Sequence, residues 1–134
     1  MNEFAKKWLK QAESDLKAAE HSMASGDYNW SCFQSQQAAE KGLKAFLYNE
    51  GRVTDKLAIS HLLKELVLVA GNLNDEFNSV VEDAKLLDMF YIPSLYPVGL
   101  AGELTPAEYF DENDAKKCIK SSAAILKIVK KLIQ

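Results

Sequence analysis

An all-α fold, an antiparallel up-and-down four-helix bundle with one additional short helix, follows from three observations. Apolar residues recur at helical spacing through most of the 134 residues. Glycine and proline punctuate the chain at Ser25-Gly26-Asp27, Asn49-Glu50-Gly51, Ala70-Gly71-Asn72 and between Pro93 and Pro106. No strand-like alternation and no internal repeat competes with this pattern. Short links between long amphipathic segments make sequence neighbours antiparallel. The length predicts a single helical domain over residues 1–134, large enough for a sizeable core.

The first helix is expected over about 3–25, with Ala5, Leu9, Ala12, Leu16, Ala19 and Met23 on one stripe, Trp8 beside it and Asp15 at its edge. The second, about 28–49, sets Cys32, Gln36, Ala39, Leu43 and Phe46 on one face and Gln37, Lys41, Lys44 and Tyr48 on a neighbouring one. A short third helix begins near Ser60-His61 and runs through Leu62, Leu63, Leu66 and Val67. Asn74 is a suitable N-cap for the fourth, whose stripe reads Phe77, Val81, Ala84, Asp88, Tyr91 until Pro93 ends it. Thr105-Pro106-Ala107-Glu108 fits a capping box for an extra turn. The last helix starts at Asp111, a cap with Asp114 three residues on, and buries Ala115, Cys118, Ile119, Leu126, Val129 and Ile133.

Composition narrows the function. Hydrophobic residues at 48 % and charged residues at 26 % match ordinary globular usage, against both disorder and membrane proteins. No apolar run approaches the roughly 18 residues that cross a bilayer. The N-terminal M-N-E-F-A-K-K-W-L-K lacks the apolar segment of a secretory signal, so a cytoplasmic location is expected. Arg52 is the only arginine in a chain of net charge −3, and phosphate-rich surfaces favour arginine's bidentate fork, so nucleic acid is not indicated as a partner. Cys32 and Cys118 carry no CxxC or paired-histidine context, which reads as two buried thiols and no metal site. Glycine-rich phosphate loops, G-x-S-x-G and H-E-x-x-H are missing from the sequence.

The glutamines and the Glu-Lys pair in the middle of W-S-C-F-Q-S-Q-Q-A-A-E-K-G-L-K, residues 30–44, are out of place in a helix core. Asp15, Gln36 and Asp88 likewise lie in or beside apolar stripes, where each needs a partner or an opening to water. Lys41, Lys44, Tyr91 and Tyr96 are the candidate partners, in a register-fixing network or in a ligand site. His61, at a helix start, reads as a capping or surface residue, or as a base. The segment Tyr91-Ile92-Pro93-Ser94-Leu95-Tyr96-Pro97 places two rings between stiffening prolines, to cover the bundle end or to stack on a ligand.

Taken in order, A-E-S-D-L-K-A-A from Ala12, Y-N-W-S-C-F-Q-S-Q-Q-A-A-E-K-G-L-K-A from Tyr28, I-S-H-L-L from Ile59, L-D-M-F-Y-I-P-S-L-Y-P from Leu87 and D-A-K-K-C-I-K-S-S-A-A-I-L from Asp114 resemble the prokaryotic HEPN domain across nearly the whole chain. The resemblance implies a HEPN-like four-helix bundle, frequent homodimers, and association with a separately encoded minimal nucleotidyltransferase for which the helical partner contributes nucleotide binding. A second branch of that superfamily consists of toxin-like, metal-independent ribonucleases whose site is an Arg followed four to six residues on by a His. Here Arg52 and His61 are separated by eight residues. Relatives commonly carry Thr-Arg-Tyr-Pro where this chain has Ser94-Leu95-Tyr96-Pro97, and Lys85 stands where an arginine is frequent.

The expected function is therefore a noncatalytic, dimeric HEPN module that binds a nucleotide or assists a nucleotidyltransferase, with no catalytic residue, metal or cofactor assigned. Gln37, Lys41 and Lys44 would form a polar ridge, Lys41 meeting phosphate and Gln37 reading a base edge. Tyr91 and Tyr96 would supply aromatic walls, and Asp15, Gln36 and Asp88 would orient them or serve structure. The competing expectations are a toxin-like ribonuclease using His61 and a purely structural dimeric interaction module.

Overall fold

The helices that open at Glu3, Asp55, Leu63, Pro106 and Glu112 begin where a polar side chain satisfies an otherwise orphaned backbone N–H. The computed structural model describes residues 2–133. Helix α1, Glu3–Ala24, starts at Asn2, whose side chain accepts from the Ala5 N–H at 2.6 Å. It ends at Gly26, where a φ of 83° turns the chain in a conformation that glycine adopts without strain. Helix α2, Tyr28–Asn49, is followed by Gly51 at φ 65°. Thr54 caps a short helix α3, Asp55–Ile59, and Leu63–Leu73 forms α4. A 3₁₀ turn over Asp75–Val80 leads into α5, Val81–Phe90. The Thr105–Glu108 capping box opens α6, Pro106–Tyr109, with Pro106 in its first turn. Asp111 and Asp114 accept from each other's N–H, both at 3.0 Å, to open α7, Glu112–Ile133.

These elements form the all-α HEPN-like bundle. Helix α2 is its hub, packed against α1, α7, α4 and α5, while α7 also meets α1 and α5. Small residues let α2 sit that deep. Ala38, Ala39 and Gly42 are buried on it, and a Cβ at Gly42 would lie 2.2 Å from Leu126 Cδ2, so α7 fills the space that this glycine leaves. Phe46 and Phe77 meet at 4.7 Å in the main core, which Leu43, Leu66, Leu87 and Ile125 extend. Cys32 and Cys118 are buried and free, and a hydrogen bond between the thiols, reinforced by burial, pushes the Cys118 thiol pKa far above its usual range. Among the described residues no helix is long and apolar enough to cross a membrane.

Three boundaries depart from the sequence expectation. Residues 55–59 form a helix of their own, because Thr54 accepts from the Leu57 N–H at 3.2 Å and Leu57 enters the core. Helix α4 starts at Leu63 rather than Ser60, and the segment expected to run as one helix from Asn74 is a 3₁₀ turn until Val81. Asn74 does cap, accepting from the Glu76 N–H at 3.0 Å. Ile119 is only partly buried.

The start of α4 explains Asp88. The residue preceding α4 is Leu62, which has no side-chain acceptor, so the cap comes from another helix. Asp88 on α5 accepts from the Leu63 N–H at 2.8 Å and the Lys64 N–H at 3.0 Å. Desolvation by burial raises the Asp88 carboxyl above its usual range, those two N–H groups oppose the rise, and the nearby Glu40 charge adds to it. Two charge-assisted bonds at a helix N-terminus offset part of that cost. Asp88→Ala is therefore expected to lower unfolding free energy by about 1–3 kcal/mol in urea titrations, and Asp88→Asn, which keeps one acceptor, by less.

Candidate functional site

On α2, the residues Gln36, Glu40 and Lys44 recur every four positions and so share one face. That face looks onto the link between α3 and α4, not onto solvent. Glu40 and Lys44 are almost wholly buried, their side chains 5 % and 3 % exposed. The Lys44 ammonium donates to Glu40 Oε2 at 3.1 Å and to the Ala58 carbonyl at 3.0 Å, and stands 5.9 Å from the centre of the Trp8 ring. The other Glu40 oxygen, Oε1, meets His61 Nδ1 at 2.9 Å. Gln36 Nε2 donates to the His61 backbone carbonyl at 3.0 Å, and Gln37 Nε2 donates to Gln36 Oε1 at 2.7 Å.

His61 is thereby fixed at both ends of the residue while its side chain stays 53 % exposed. An ionised carboxylate accepts and cannot donate, so Nδ1 donates to it, and Nε2 is an acceptor whenever the ring is neutral. One neighbour of the ring is Tyr91, with centroids 5.5 Å apart and planes 24° apart. Tyr91 also stacks on Phe33 at 6.2 Å, and Phe33 meets Trp30 edge-on at 6.1 Å. Burial, then the Glu40 charge, then Tyr96 raise the Tyr91 phenol pKa above its usual value. The result is a row of rings, Trp30, Phe33, Tyr91 and His61, running from the start of α2 to the α3–α4 link. Asn29 Nδ2 donates to the Ser94 carbonyl at 3.1 Å and ties the Tyr91–Tyr96 segment to this row.

Of the residues singled out from sequence, Gln36, Gln37, Lys44 and Tyr91 come together here, and Asp88 supports the site through the cap on α4. Tyr96 lies nearby on the same loop and is 54 % exposed. The expected ridge of Gln37, Lys41 and Lys44 is divided instead of continuous. Lys44 turns inward onto Glu40, while Lys41 is 2.5 Å from Asp15, which also accepts from Gln11 Nε2 at 2.8 Å on the α1 side. Sequence reasoning noted Glu40 as half of an odd Glu-Lys pair but gave it no role, although it is the residue that joins the others. Its signal was the spacing of four to Gln36 and to Lys44, which places a carboxylate between an amide and an ammonium on one buried stripe.

Comparison with known proteins places this geometry in a family. A model described as the HEPN domain matches residues 5–132. The chain belongs to the HEPN domain family. Among solved HEPN-like structures, TT1696 from Thermus thermophilus is 33 % identical and superimposes with a TM-score of 0.84 over 98 % of each chain. ST0689, described as an archaeal HEPN homologue, is 35 % identical, with a TM-score of 0.79 over the whole of both chains. A Methanocaldococcus jannaschii protein named "Putative toxin MJ1304" is 25 % identical over 135 residues, spanning 98 % of this chain and 89 % of that protein.

The Glu40–Lys44 pair sets a stability test for this HEPN bundle. Removing one partner of a buried pair leaves the other charge uncompensated, whereas removing both does not. Glu40→Ala is expected to cost about 3–5 kcal/mol in urea unfolding, and Glu40→Met combined with Lys44→Met to recover most of that loss.

Proposed function

We propose that this HEPN protein is a cytoplasmic, noncatalytic module that binds a nucleotide on the Trp30–Phe33–Tyr91–His61 row. In this reading it pairs as a homodimer and serves a separately encoded minimal nucleotidyltransferase. The observation that carries the proposal is the half-exposed His61 ring, oriented by a buried Glu40 and backed by Tyr91. A planar base stacks on such rings at little entropic cost, because they are already immobilised. Gln37, partly exposed at the edge of the same row, offers an amide to a base edge, and Tyr96 a second aromatic wall. Lys41 meets a phosphate only by leaving Asp15, which makes the Asp15–Lys41 pair a gate on phosphate affinity.

One observation favours a second reading. A histidine whose Nδ1 is held by a carboxylate presents Nε2 as a base, the arrangement that a toxin-like ribonuclease would use. The M. jannaschii relative's name points the same way. Against it stands Arg52, on the exposed turn before α3 and outside the His61 network.

Calorimetric titration with nucleoside mono-, di- and triphosphates separates the readings. Saturable binding, weakened about tenfold or more by Tyr91→Ala and His61→Ala, is expected, since stacking losses of this kind are on the order of 1–3 kcal/mol. Asp15→Asn, by releasing Lys41, is expected to strengthen triphosphate binding more than monophosphate binding. Absence of heat with every nucleotide would overturn the proposal. Metal-free RNA cleavage abolished by both His61→Ala and Glu40→Gln would establish the ribonuclease reading instead.

A further inference from the structure

A cavity of about 450 Å³ opens at the end of the bundle where α5, the 97–101 segment, α6 and α7 converge. It shares no lining residue with the Glu40–His61 network. That volume lies in the range of small-ligand pockets, which are about 300–1,000 Å³. Its walls are aromatic and aliphatic. Phe90 and Phe110 meet at 5.6 Å, and Tyr109 stands edge-on to Phe110 at 5.1 Å and 87°, with Leu100 and Pro93 also in the lining. The 97–101 segment reaches Pro93 closely only because residue 99 is glycine, since a Cβ there would lie 2.9 Å from the Pro93 Cα. Asp114 is the one ionisable side chain among the lining residues besides the Tyr109 phenol.

Negative charge predominates in the chain segment that forms most of this cavity. From Leu86 to Ala115 the sequence holds Asp88, Glu103, Glu108, Asp111, Glu112 and Asp114 and neither lysine nor arginine. Of the flanking cations, Lys116 is held by Glu112 at 2.9 Å, Lys85 stands 3.7 Å from Glu82, and Lys85 and Lys117 line an adjoining hollow with Met89 and Phe90. In the Asp111–Asp114 box, one Asp114 oxygen accepts the Asp111 N–H. An anion is disfavoured in such a field and a neutral apolar molecule gains nothing from it. A compact organic cation gains twice, from the faces of aromatic rings and from the carboxylate.

We propose that this cavity binds a small free alkylammonium ligand, its methylated nitrogen against Phe90, Phe110 and Tyr109 and its charge countered by Asp114. The test is a titration of the full chain with choline and with the uncharged isostere that has carbon in place of nitrogen, followed by calorimetry or by chemical shifts of the cavity residues. Choline is expected to saturate and to bind about tenfold or more tightly than the isostere, with a similar loss in Tyr109→Ala and in Asp114→Asn. Tyr109 is 54 % exposed and asparagine keeps an acceptor for the Asp111 N–H, so both variants are expected to fold, and a thermal melt verifies it. Equal binding of the isostere would reduce the cavity to an unselective apolar hollow and overturn the assignment. So would no binding, or choline binding indifferent to both substitutions. Co-sedimentation with phosphatidylcholine vesicles in place of free choline binding would assign the cavity to a lipid headgroup and overturn the free-ligand proposal.

Discussion

The buried carboxylate of Glu40 is the group around which the polar half of this bundle is arranged. An isolated carboxylate at that depth is costly, and two partners offset the cost: the Lys44 ammonium on its own helix and the His61 ring on the link between α3 and α4. The two partners differ in kind. Lys44, one turn along α2, is fixed by helix geometry, so the pair exists once α2 forms. His61 is delivered by a loop, so its bond to Glu40 converts a local ion pair into a tertiary restraint. Lys44 extends the restraint to the Ala58 carbonyl and Gln36 to the His61 carbonyl, which closes the short α3 over the polar face of α2.

Helix α2 can play this part because it has two characters. The Ala38–Ala39–Gly42 side lets α1 and α7 approach closely, and apolar contact stabilises the bundle there. The Gln36–Glu40–Lys44 side contributes little net stability, since buried ion pairs rarely outperform apolar packing. What it contributes is position. Asp88 does the same from α5 by capping α4 from outside its own chain segment. Together Glu40 and Asp88 fix a three-residue link, residues 60–62, and the first residues of α4 that follow it, with His61 at the middle of the link.

The bundle was legible because periodicity and punctuation report on local structure, and both caps near α7 were readable as pairs three residues apart. The site was less so. Gln36, Gln37, Lys44 and Tyr91 stood out as polar or aromatic residues in odd places, yet whether Lys44 points to solvent or inward depends on the α3–α4 link, which is a matter of tertiary contact. A lysine on a helix edge has a long stem that reaches either way. The separate α3 escaped notice for a related reason: five residues are too few for a periodic pattern, and only burial of Leu57 and the Thr54 cap sustain the turn. Asp88 was visible as a carboxylate in an apolar stripe, but its role as a cap for another helix required knowing where α4 begins.

The same geometry limits how a phosphorylated ligand can be held beside His61. A helix N-terminus is an obvious anion site, but at α4 the Leu63 and Lys64 N–H groups are already taken by Asp88. Lys41 is engaged with Asp15 and Lys44 with Glu40, so neither ammonium is free where it stands. The buried Glu40 charge further disfavours a second anion close by. On the proposed reading, recognition at this row would therefore rest on the ring of a ligand, through stacking and hydrogen bonds, more than on its phosphates. The phosphates of a ligand stacked here would then need cations from outside this network, such as Lys41 once Asp15 releases it.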